Sequence, residues 1–352
     1  MPIHNTGYRA WNGLRNSEWS RWITITSTEI KRASKSKQLK RLMFVVLFPL
    51  LFFGIPFFLF EQSVRDPFTW RTFSNFALSM PQASMLRDSI EQKEIGVDFG
   101  ARIDQGRRRF PRNQWTPPAS DPTPEQFDAI RHEVWAFILL TFMRYPQAIL
   151  MVLVVGIVAP PLISQDLRTR AYLIYFSRPI TRLEYIFGKF GAVGFFLLGI
   201  SAAPALVLYV AGVLLSPSLN VIAATWDLPF RIVFGSACLI IPTTLVALVF
   251  SSLTVESRYA GFAWFAMWII GYVTYAALIA IPTFEAGRDN IMFEPGWRML
   301  LSPYQVLGIA QAYAFGFTVD GDMVVPAFAM LGIVSILSIV VLFRRVAAPM
   351  SV

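Results

Sequence analysis

The sequence predicts an all-α protein that crosses a membrane about six times, and three observations support this fold class. Hydrophobic residues make up 55% of the 352 residues and charged residues only 15%, whereas about a quarter of residues are charged in soluble domains. A membrane-spanning helix needs roughly 20 apolar residues. Six such runs lie near residues 42–60, 145–163, 186–215, 231–253, 259–282 and 323–343. The complete lack of charge in the first and fifth runs argues against a buried soluble bundle.

The N-terminal region is predicted to be a polar tail with a surface helix (residues 1–41), followed by the first span (42–60). The first apolar run is too long for a cleaved signal peptide and follows forty-one mostly polar residues. We therefore expect it to remain as a signal-anchor. Prolines at Pro49, Pro56 and Pro204 predict kinks within spans, since a membrane helix tolerates proline where neighbours satisfy the freed carbonyls.

The distribution of basic residues predicts the orientation, because cytoplasmic loops carry an excess of Lys and Arg. Residues 1–41 hold nine bases and two acids, and residues 164–189 hold five and two. Residues 283–322 reverse the balance, with two bases and five acids. Both termini, including the tail 344–352, are therefore predicted to be cytoplasmic. The net charge of +9 then reflects topology and gives no indication of nucleic-acid binding.

Two segments are predicted to lie outside the lipid. Residues 61–144 form an extracytoplasmic insertion, with irregular or extended chain in the proline-dense part at 107–126. Within it, Val134–Met143 is expected to be either an interfacial segment or an outward extension of the second span. The other five spans occupy residues 145–343. Among them, segment 283–322 is too weakly hydrophobic for an independent span, so we expect an interfacial or re-entrant piece.

Side chains that carry chemistry are sparse. The single cysteine, Cys238, and two histidines give no metal or disulfide pattern. The nearest approach to a P-loop is Gly188-Lys189, which lacks the upstream glycine and the following hydroxyl. We therefore expect no enzyme activity, metal or cofactor in this chain. Three cations near span ends are interpreted as snorkelling anchors: Arg144, Lys189 and Arg231.

The polar stretch between the second and third spans has helix signals of its own. Ser164 is predicted to cap a short helix that ends near Ser177, since Pro179 restricts the preceding residue to extended geometry. Thr181 and Glu184 form a capping-box pattern that starts a second helix at Arg182. These patterns alone are equally compatible with a connector that touches lipid headgroups and with a lever that transmits force.

The same stretch resembles the permease subunits of ATP-binding-cassette transporters of the type-2 exporter class. The residues "ISQDLRTRAYLIYFSRPITRLEYIFGKF" (163–190) match an acid-and-arginine helix followed by a family signature. Residues 25–44 resemble the family's elbow helix, with Glu29, Lys31 and Arg32 as its charged positions. "LLSPYQVL" (300–307) is a weaker match. The matched signature positions are Tyr175, Ser177, Arg178, Pro179, Arg182, Tyr185, Gly188 and Lys189.

The resemblance implies a multi-pass protein of the plasma (inner) membrane that dimerises with a second permease, identical or different. It also implies a separate cytoplasmic ATPase subunit that binds ATP and Mg²⁺ and docks on the coupling loop at 164–185. The implied docking residues are Asp166, Arg168, Arg170, Tyr172, Tyr175, Arg178, Pro179, Arg182, Glu184 and Tyr185. The other functions considered are a non-transporting scaffold, a secondary carrier and an intramembrane enzyme. The absence of acids and histidines from the middle of the spans disfavours the last two.

Overall fold

A computed structural model describes residues 20–63, 66–103, 114–118, 120–171, 180–216, 220–285, 296–317 and 321–347. The first half of the chain contains α1 (Arg21–Ala33), α2 (Lys37–Val45), α3 (Leu47–Ser63), α4 (Pro67–Ser79), α5 (Ala83–Gln92), β1 (Ala101–Ile103), β2 (Gln114–Thr116), α6 (Pro124–Arg144), α7 (Pro146–Val158) and α8 (Pro160–Thr169). The second half contains α9 (Arg182–Ile200), α10 (Ala202–Leu215), α11 (Val221–Thr225), α12 (Leu228–Leu253), α13 (Ser257–Glu285), a 3₁₀ helix (Gly296–Leu301), α14 (Pro303–Ala314) and α15 (Gly321–Ala347).

The predicted all-α membrane fold is confirmed. Among the described residues, six helical segments are long and apolar enough to cross a membrane. They lie at Lys37–Ser63, Pro124–Thr169, Arg182–Leu215, Val221–Leu253, Ser257–Leu278 and Asp322–Val346. The second to fourth have about two thirds of their apolar windows buried inside the protein (67%, 61% and 61%), and the fifth and sixth only 11%. The middle spans therefore form the packed centre, and the last two present most of their surface outward.

Breaks between consecutive helices coincide with prolines. The first span turns at Val46, the second at Tyr145 and Ala159, and the third at Ser201. A proline follows each break within three residues, at positions 49, 146, 160 and 204. Proline lacks an N–H and its ring clashes with the carbonyl four residues earlier, so it interrupts the helix just before itself. The kinks expected from Pro49 and Pro204 are thus present, whereas Pro56 lies inside continuous α3.

The insertion at 61–144 contains two short helices, α4 and α5, and a small antiparallel sheet in which Arg102 pairs with Trp115. Its core forms around fully buried Trp70, whose ring contacts those of Phe73, Phe99 and Phe127 at 5.0–5.8 Å between centroids. Strand β2 is extended chain within 107–126, which fits the irregular or extended chain expected there, and α6 begins near the end of this stretch. Residues 107–113 and 119 of the stretch lie outside the described part.

The segment Val134–Met143 extends the second span outward. It forms the last half of α6, which runs into α7 with a single non-helical residue between them, Tyr145. All its side chains are buried against α3, α11 and other neighbours. The alternative of a separate interfacial segment is thereby excluded.

Residues 296–317 form the 3₁₀ helix and α14, in agreement with the expectation that this segment is not a span of its own. With 12 residues, α14 is about 18 Å long, well short of a bilayer core. It is packed between α12 and α15, and Val306, Ile309 and Ala310 are buried there. The nearby Trp297 remains 62% exposed.

Helix α1 packs closely on the start of α9 through two glycines. Thr26 Oγ1 donates a hydrogen bond to the backbone carbonyl of Gly188 (3.0 Å). A Cβ atom at Gly188 would lie 2.7 Å from Ile25, and one at Gly191 would lie 2.7 Å from the Thr26 hydroxyl. Only glycine permits this approach, and it brings the first helix of the described chain against the third span.

We expect Gly188→Ala to lower the melting temperature of the detergent-solubilised protein by several degrees, which corresponds to about 1–3 kcal/mol of overpacking. The physical reason is the clash with Ile25, a branched side chain attached close to the backbone. Gly54→Ala is the matched control, because a Cβ atom there meets no atom within 4 Å. Equal melting temperatures for the two variants would contradict the close contact.

Candidate functional site

The candidate site is the surface formed by α8, the connection to α9, and α1. α8 follows α7 after the break at Ala159 and ends at Thr169. Arg170 then adopts a left-handed conformation (φ 55°), and the backbone N–H of Ala171 bonds to the carbonyl of Asp166 (3.0 Å). This left-handed turn ends the helix and redirects the chain.

The helix start differs from the prediction. α8 begins at Pro160, four residues before the expected cap at Ser164, because the helix of the second span resumes directly after its break. The hydroxyl of Ser251, on α12, accepts hydrogen bonds from the backbone N–H groups of Ile163 (3.0 Å) and Ser164 (3.1 Å). It also donates to the carbonyl of Pro160 (2.7 Å). Ser251, about 90 positions away, therefore satisfies two backbone donors in the first turns of α8. The Ser164 hydroxyl donates to the carbonyl of Pro160 (2.6 Å) instead of acting as a helix cap.

The start of α9 agrees with the prediction. The backbone N–H of Thr181 donates to Glu184 Oε2 (2.6 Å), and the backbone N–H of Glu184 donates to Thr181 Oγ1 (3.2 Å). Both halves of a capping box are present, and α9 begins at Arg182. The glutamate carboxylate is therefore occupied in fixing the helix end.

A buried cluster of Glu29, Asp166, Tyr185 and Lys189 connects the three helices; we call it the Lys189 cluster. The Lys189 ammonium lies 2.6 Å from Glu29 Oε1 and 2.6 Å from Asp166 Oδ2. The Tyr185 hydroxyl donates to the same Asp166 oxygen (2.9 Å), and the Lys189 side chain is completely buried. Glu29 belongs to α1, Asp166 to α8 and the other two residues to α9, so one cation joins three helices.

Arg32 balances the charge of the Lys189 cluster. Two carboxylates and one ammonium leave a net negative charge, and the Arg32 guanidinium lies 3.9 Å from Glu29. Arg32 also donates to the side chain of Gln165 on α8. Buried ions need opposite charges and hydrogen bonds nearby to offset their lost hydration. The half-exposed Arg32 supplies the missing charge at the rim.

The predicted docking residues divide into an inward and an outward group. Asp166 and Tyr185 are buried in the Lys189 cluster, and Glu184 is engaged in the capping box. Arg168, Arg170 and Arg182 are exposed, as is Lys31 on α1, and Arg168 makes a loose pair with Glu256 at 3.5 Å. The exposed arginines are therefore accessible for direct contacts, whereas the buried residues hold α8 in place. Tyr172, Tyr175, Arg178 and Pro179 lie outside the described residues.

The interpretation as snorkelling anchors is wrong for Arg144 and Lys189, which are buried, and stays a prediction for Arg231, whose side chain is 32% exposed. Lys189 is fully buried in its ionic cluster, and Arg144 is 4% exposed. Arg231 pairs with Asp227 on its own helical turn, 2.5 Å away. The only sequence signal for the role of Lys189 was its position one turn after Tyr185 in the family-like motif, and nothing in the sequence singled out Glu29 as its partner.

A second polar cluster joins the insertion to the span bundle. His132 Nε2 lies 3.0 Å from Asp227 Oδ1, and His132 Nδ1 lies 3.1 Å from Glu133 Oε1. Lys93, which directly follows α5, reaches the same Glu133 oxygen at 2.5 Å. The histidine thus ties the N-terminal half of α6 to the start of the fourth span, a role that the sequence did not indicate.

The six apolar spans define a multi-pass α-helical membrane protein. The polar segment between its second and third spans is held in place by buried ion pairs. Residues 23–345 match the family model described as "ABC-2 family transporter protein", and the chain belongs to that family. The resemblance to type-2 permeases is thereby confirmed. A search of curated proteins found no match.

We expect Lys189→Met to destabilise the protein by about 3–5 kcal/mol, because it leaves two carboxylates buried without their cation. The triple variant Glu29→Gln/Asp166→Asn/Lys189→Met removes all three charges and should recover more than half of that loss. Thermal unfolding in detergent measures both. Arg168→Met, which breaks an exposed pair, is the control and should cost under about 1 kcal/mol. Equal losses from Lys189→Met and the control would refute the role of the Lys189 cluster.

Proposed function

We propose that this chain is the membrane-spanning subunit of an ATP-driven exporter, working as a dimer with a second permease. A separate ATPase subunit docks on α8, on the connection to α9 and on α1, and supplies the ATP hydrolysis that this chain is not equipped to perform. Membership of the ABC-2 transporter family supports the transporter role. In this arrangement α1 is the elbow helix, both termini are cytoplasmic, and the protein resides in the plasma membrane.

The observation that carries this proposal is a set of exposed arginines on a braced support. Arg168, Arg170 and Arg182 are exposed, with the first two at the end of α8 and the third at the capped start of α9. Beneath them, the Lys189 cluster fixes α8 to α9 and α1. Guanidinium groups on a rigid base are suited to binding carboxylates of a partner protein, because the helices that carry them do not have to become ordered on binding.

The contacts of α8 provide a route for force into the membrane. A push on α8 acts on the second span directly, because only Ala159 separates α7 from α8. It acts on the third span through Asp166 and Lys189, and on the fourth through the hydroxyl of Ser251. These are short, buried contacts at the cytoplasmic ends assigned by the charge distribution. Displacement of one short helix would thus move three spans together, which suits rigid-body rocking of a six-span unit.

We expect Arg170→Glu/Arg182→Glu to reduce co-purification with the ATPase subunit at least about tenfold, since each reversal replaces a charge-assisted contact with repulsion. The experiment co-expresses the chain with the ATPase subunit and measures the ratio of the two proteins after affinity purification in detergent. Within the described part of the chain, no carboxylate oxygen lies within 4.0 Å of either guanidinium, so the permease itself should keep its melting temperature.

The matched control is Arg71→Glu/Arg87→Glu, which reverses two exposed charges on the insertion. This variant should retain the ATPase. Undiminished ATPase binding and ATP-stimulated transport in the docking variant would overturn the proposal. Stable ATPase binding without any nucleotide-dependent conformational change would favour the scaffold, and transport driven by an ion gradient without ATP would favour a secondary carrier.

The proposed orientation predicts opposite labelling of two engineered cysteines in a Cys238→Ala background. Lys35 follows α1 and Ser120 lies in the insertion, and both are exposed. A membrane-impermeant maleimide applied to intact cells should label Ser120→Cys but not Lys35→Cys, because the basic N-terminal region is retained inside. Both should react after permeabilisation. Labelling of Lys35→Cys in intact cells would show that the orientation is the reverse of the one proposed.

A further inference from the structure

Arg144 differs from the other buried cations of the chain. Among the described residues three cations are buried, and Arg131 and Lys189 have carboxylate partners within 3.2 Å. Arg144 is 4% exposed, yet within the described part of the chain no Asp or Glu oxygen lies within the 4.0 Å ion-pair limit of its guanidinium. Its Nη2 donates to the neutral amide of Gln305 (3.0 Å), and its buried Nε has no hydrogen-bond partner.

An unpaired guanidinium at this depth is costly. Arg144 stands at the junction of α6 and α7, inside the second candidate span, and its guanidinium packs against the backbone of Gly308 on α14. In a low-dielectric setting a charge without a counter-charge is strongly unfavourable, and charged residues within spans usually mark a functional site. The neutral partners Gln305 and Tyr304 offset only part of this cost.

A large apolar groove lies beside this residue. It has a volume of about 730 Å³, within the range of sites for small molecules, and runs between α3, α4, α7, α13 and α14. Its walls include Phe48, Phe52, Phe76 and Ile149, of which Phe48 is 74% exposed and Ile149 is 66% exposed. Since this surface faces outward from the span bundle, the groove opens towards the acyl chains of the bilayer.

The polar end of the groove adjoins Arg144. Two residues that line it are neighbours of Arg144: Thr141 lies three residues earlier on α6, and Tyr145, at the break before α7, follows directly. Tyr304 also lines the groove, and its ring centroid lies 5.4 Å from the Arg144 guanidinium carbon. The Thr141 hydroxyl already donates to the carbonyl of Phe137 (2.8 Å). The groove therefore combines a long apolar wall with tyrosine hydroxyls and a positive charge just behind them.

We propose that this groove binds an amphipathic molecule with an apolar tail and a single anionic head, carboxylate or phosphate, whose charge compensates Arg144. The tail lies along Phe48, Phe52 and Ile149, and the head takes hydrogen bonds at the tyrosine end. Such a ligand is either the transported cargo or an anionic lipid that remains bound. As a cargo site the inference rests on the proposed transport function, whereas binding itself does not need the ATPase.

The test uses the full-length chain in nanodiscs of phosphatidylcholine, whose zwitterionic headgroup has no net charge, and two photoreactive probes. One is palmitate carrying a diazirine on its chain, and the other is the glycerol monoester of the same acid, which has no charge. Mass spectrometry locates the adducts, and competition with unlabelled probe gives apparent affinities. We expect adducts on α3, α7 or α14 and a preference of at least about tenfold for the acid.

Two pairs of variants separate the charge from the groove. Arg144→Gln should abolish the preference for the acid, whereas Arg231→Gln, which removes a cation already paired with Asp227, should keep it. Ile149→Trp should block both probes by filling the groove. Val210→Trp, at an outward position on α10 away from the groove, should block neither. If Arg144→Gln does not fold, Arg144→Lys keeps the charge and should keep the preference, while Ile149→Trp still tests the groove.

Each of the following results would overturn the inference: equal labelling of the wild type by acid and ester, an unchanged preference in Arg144→Gln, or adducts unaffected by Ile149→Trp. A photoreactive residue at Ile149 that links two copies of the chain, and not a lipid, would also overturn it, since the groove would then be a protein interface. In proteoliposomes with the ATPase, ATP-driven movement of the acid between leaflets identifies cargo. Stable binding without movement identifies a resident lipid. Both outcomes are consistent with the proposed site. A variant that no longer docks the ATPase should still bind the acid in the groove, so failure of the proposed function can be told apart from failure of this inference.

Discussion

The arrangement of the polar face of this protein depends on one buried ammonium group. Lys189 lies at 2.6 Å from carboxylates on two different helices while belonging to a third. Without a cation at this point, the carboxylates of Glu29 and Asp166 would face each other in a dry environment, and the meeting of α1 and α8 beside α9 would be strongly penalised. Buried ion pairs add little net stability, but they penalise every arrangement in which a partner is missing. The Lys189 cluster therefore fixes the relative positions of three helices more than it adds to the free energy of unfolding.

This constraint also explains why the surrounding contacts are so close. An ammonium group reaches Glu29 only if α1 lies directly on α9, and the glycines at 188 and 191 remove the side chains that would hold them apart. The hydroxyl of Ser251 holds α8 from the opposite side. The charge of Lys189 and the Ser251 hydroxyl thus hold α8 from two sides, while the two glycines bring α1 close to α9. The exposed arginines at the end of α8 take their position from this support.

Local signals in the sequence predicted local structure well. The capping box at Thr181 and Glu184 depends on a spacing of three residues, so the start of α9 followed from the sequence alone. The six spans followed from apolar runs for the same reason. By contrast, Ser164 looked like a cap because the sequence does not show that Ser251 is near. Lys189 and Arg144 looked like span-end anchors because their surroundings are built by residues 23 to 161 positions away. Apart from the resemblance to type-2 permeases, nothing in the sequence indicated that Lys189 has a special role.

The sequence separation within the Lys189 cluster has a consequence for biogenesis. Glu29 and Lys189 are 160 residues apart, so when α1 leaves the ribosome its partner has not yet been made. At a synthesis rate of about 5–20 residues per second, the Glu29 carboxylate has no Lys189 partner for roughly ten to thirty seconds. During that interval an amphipathic helix can rest at the membrane surface with Glu29 in water. Closure of the Lys189 cluster is thus a late assembly step, which joins the N-terminal helix to the bundle only after the third span has been inserted.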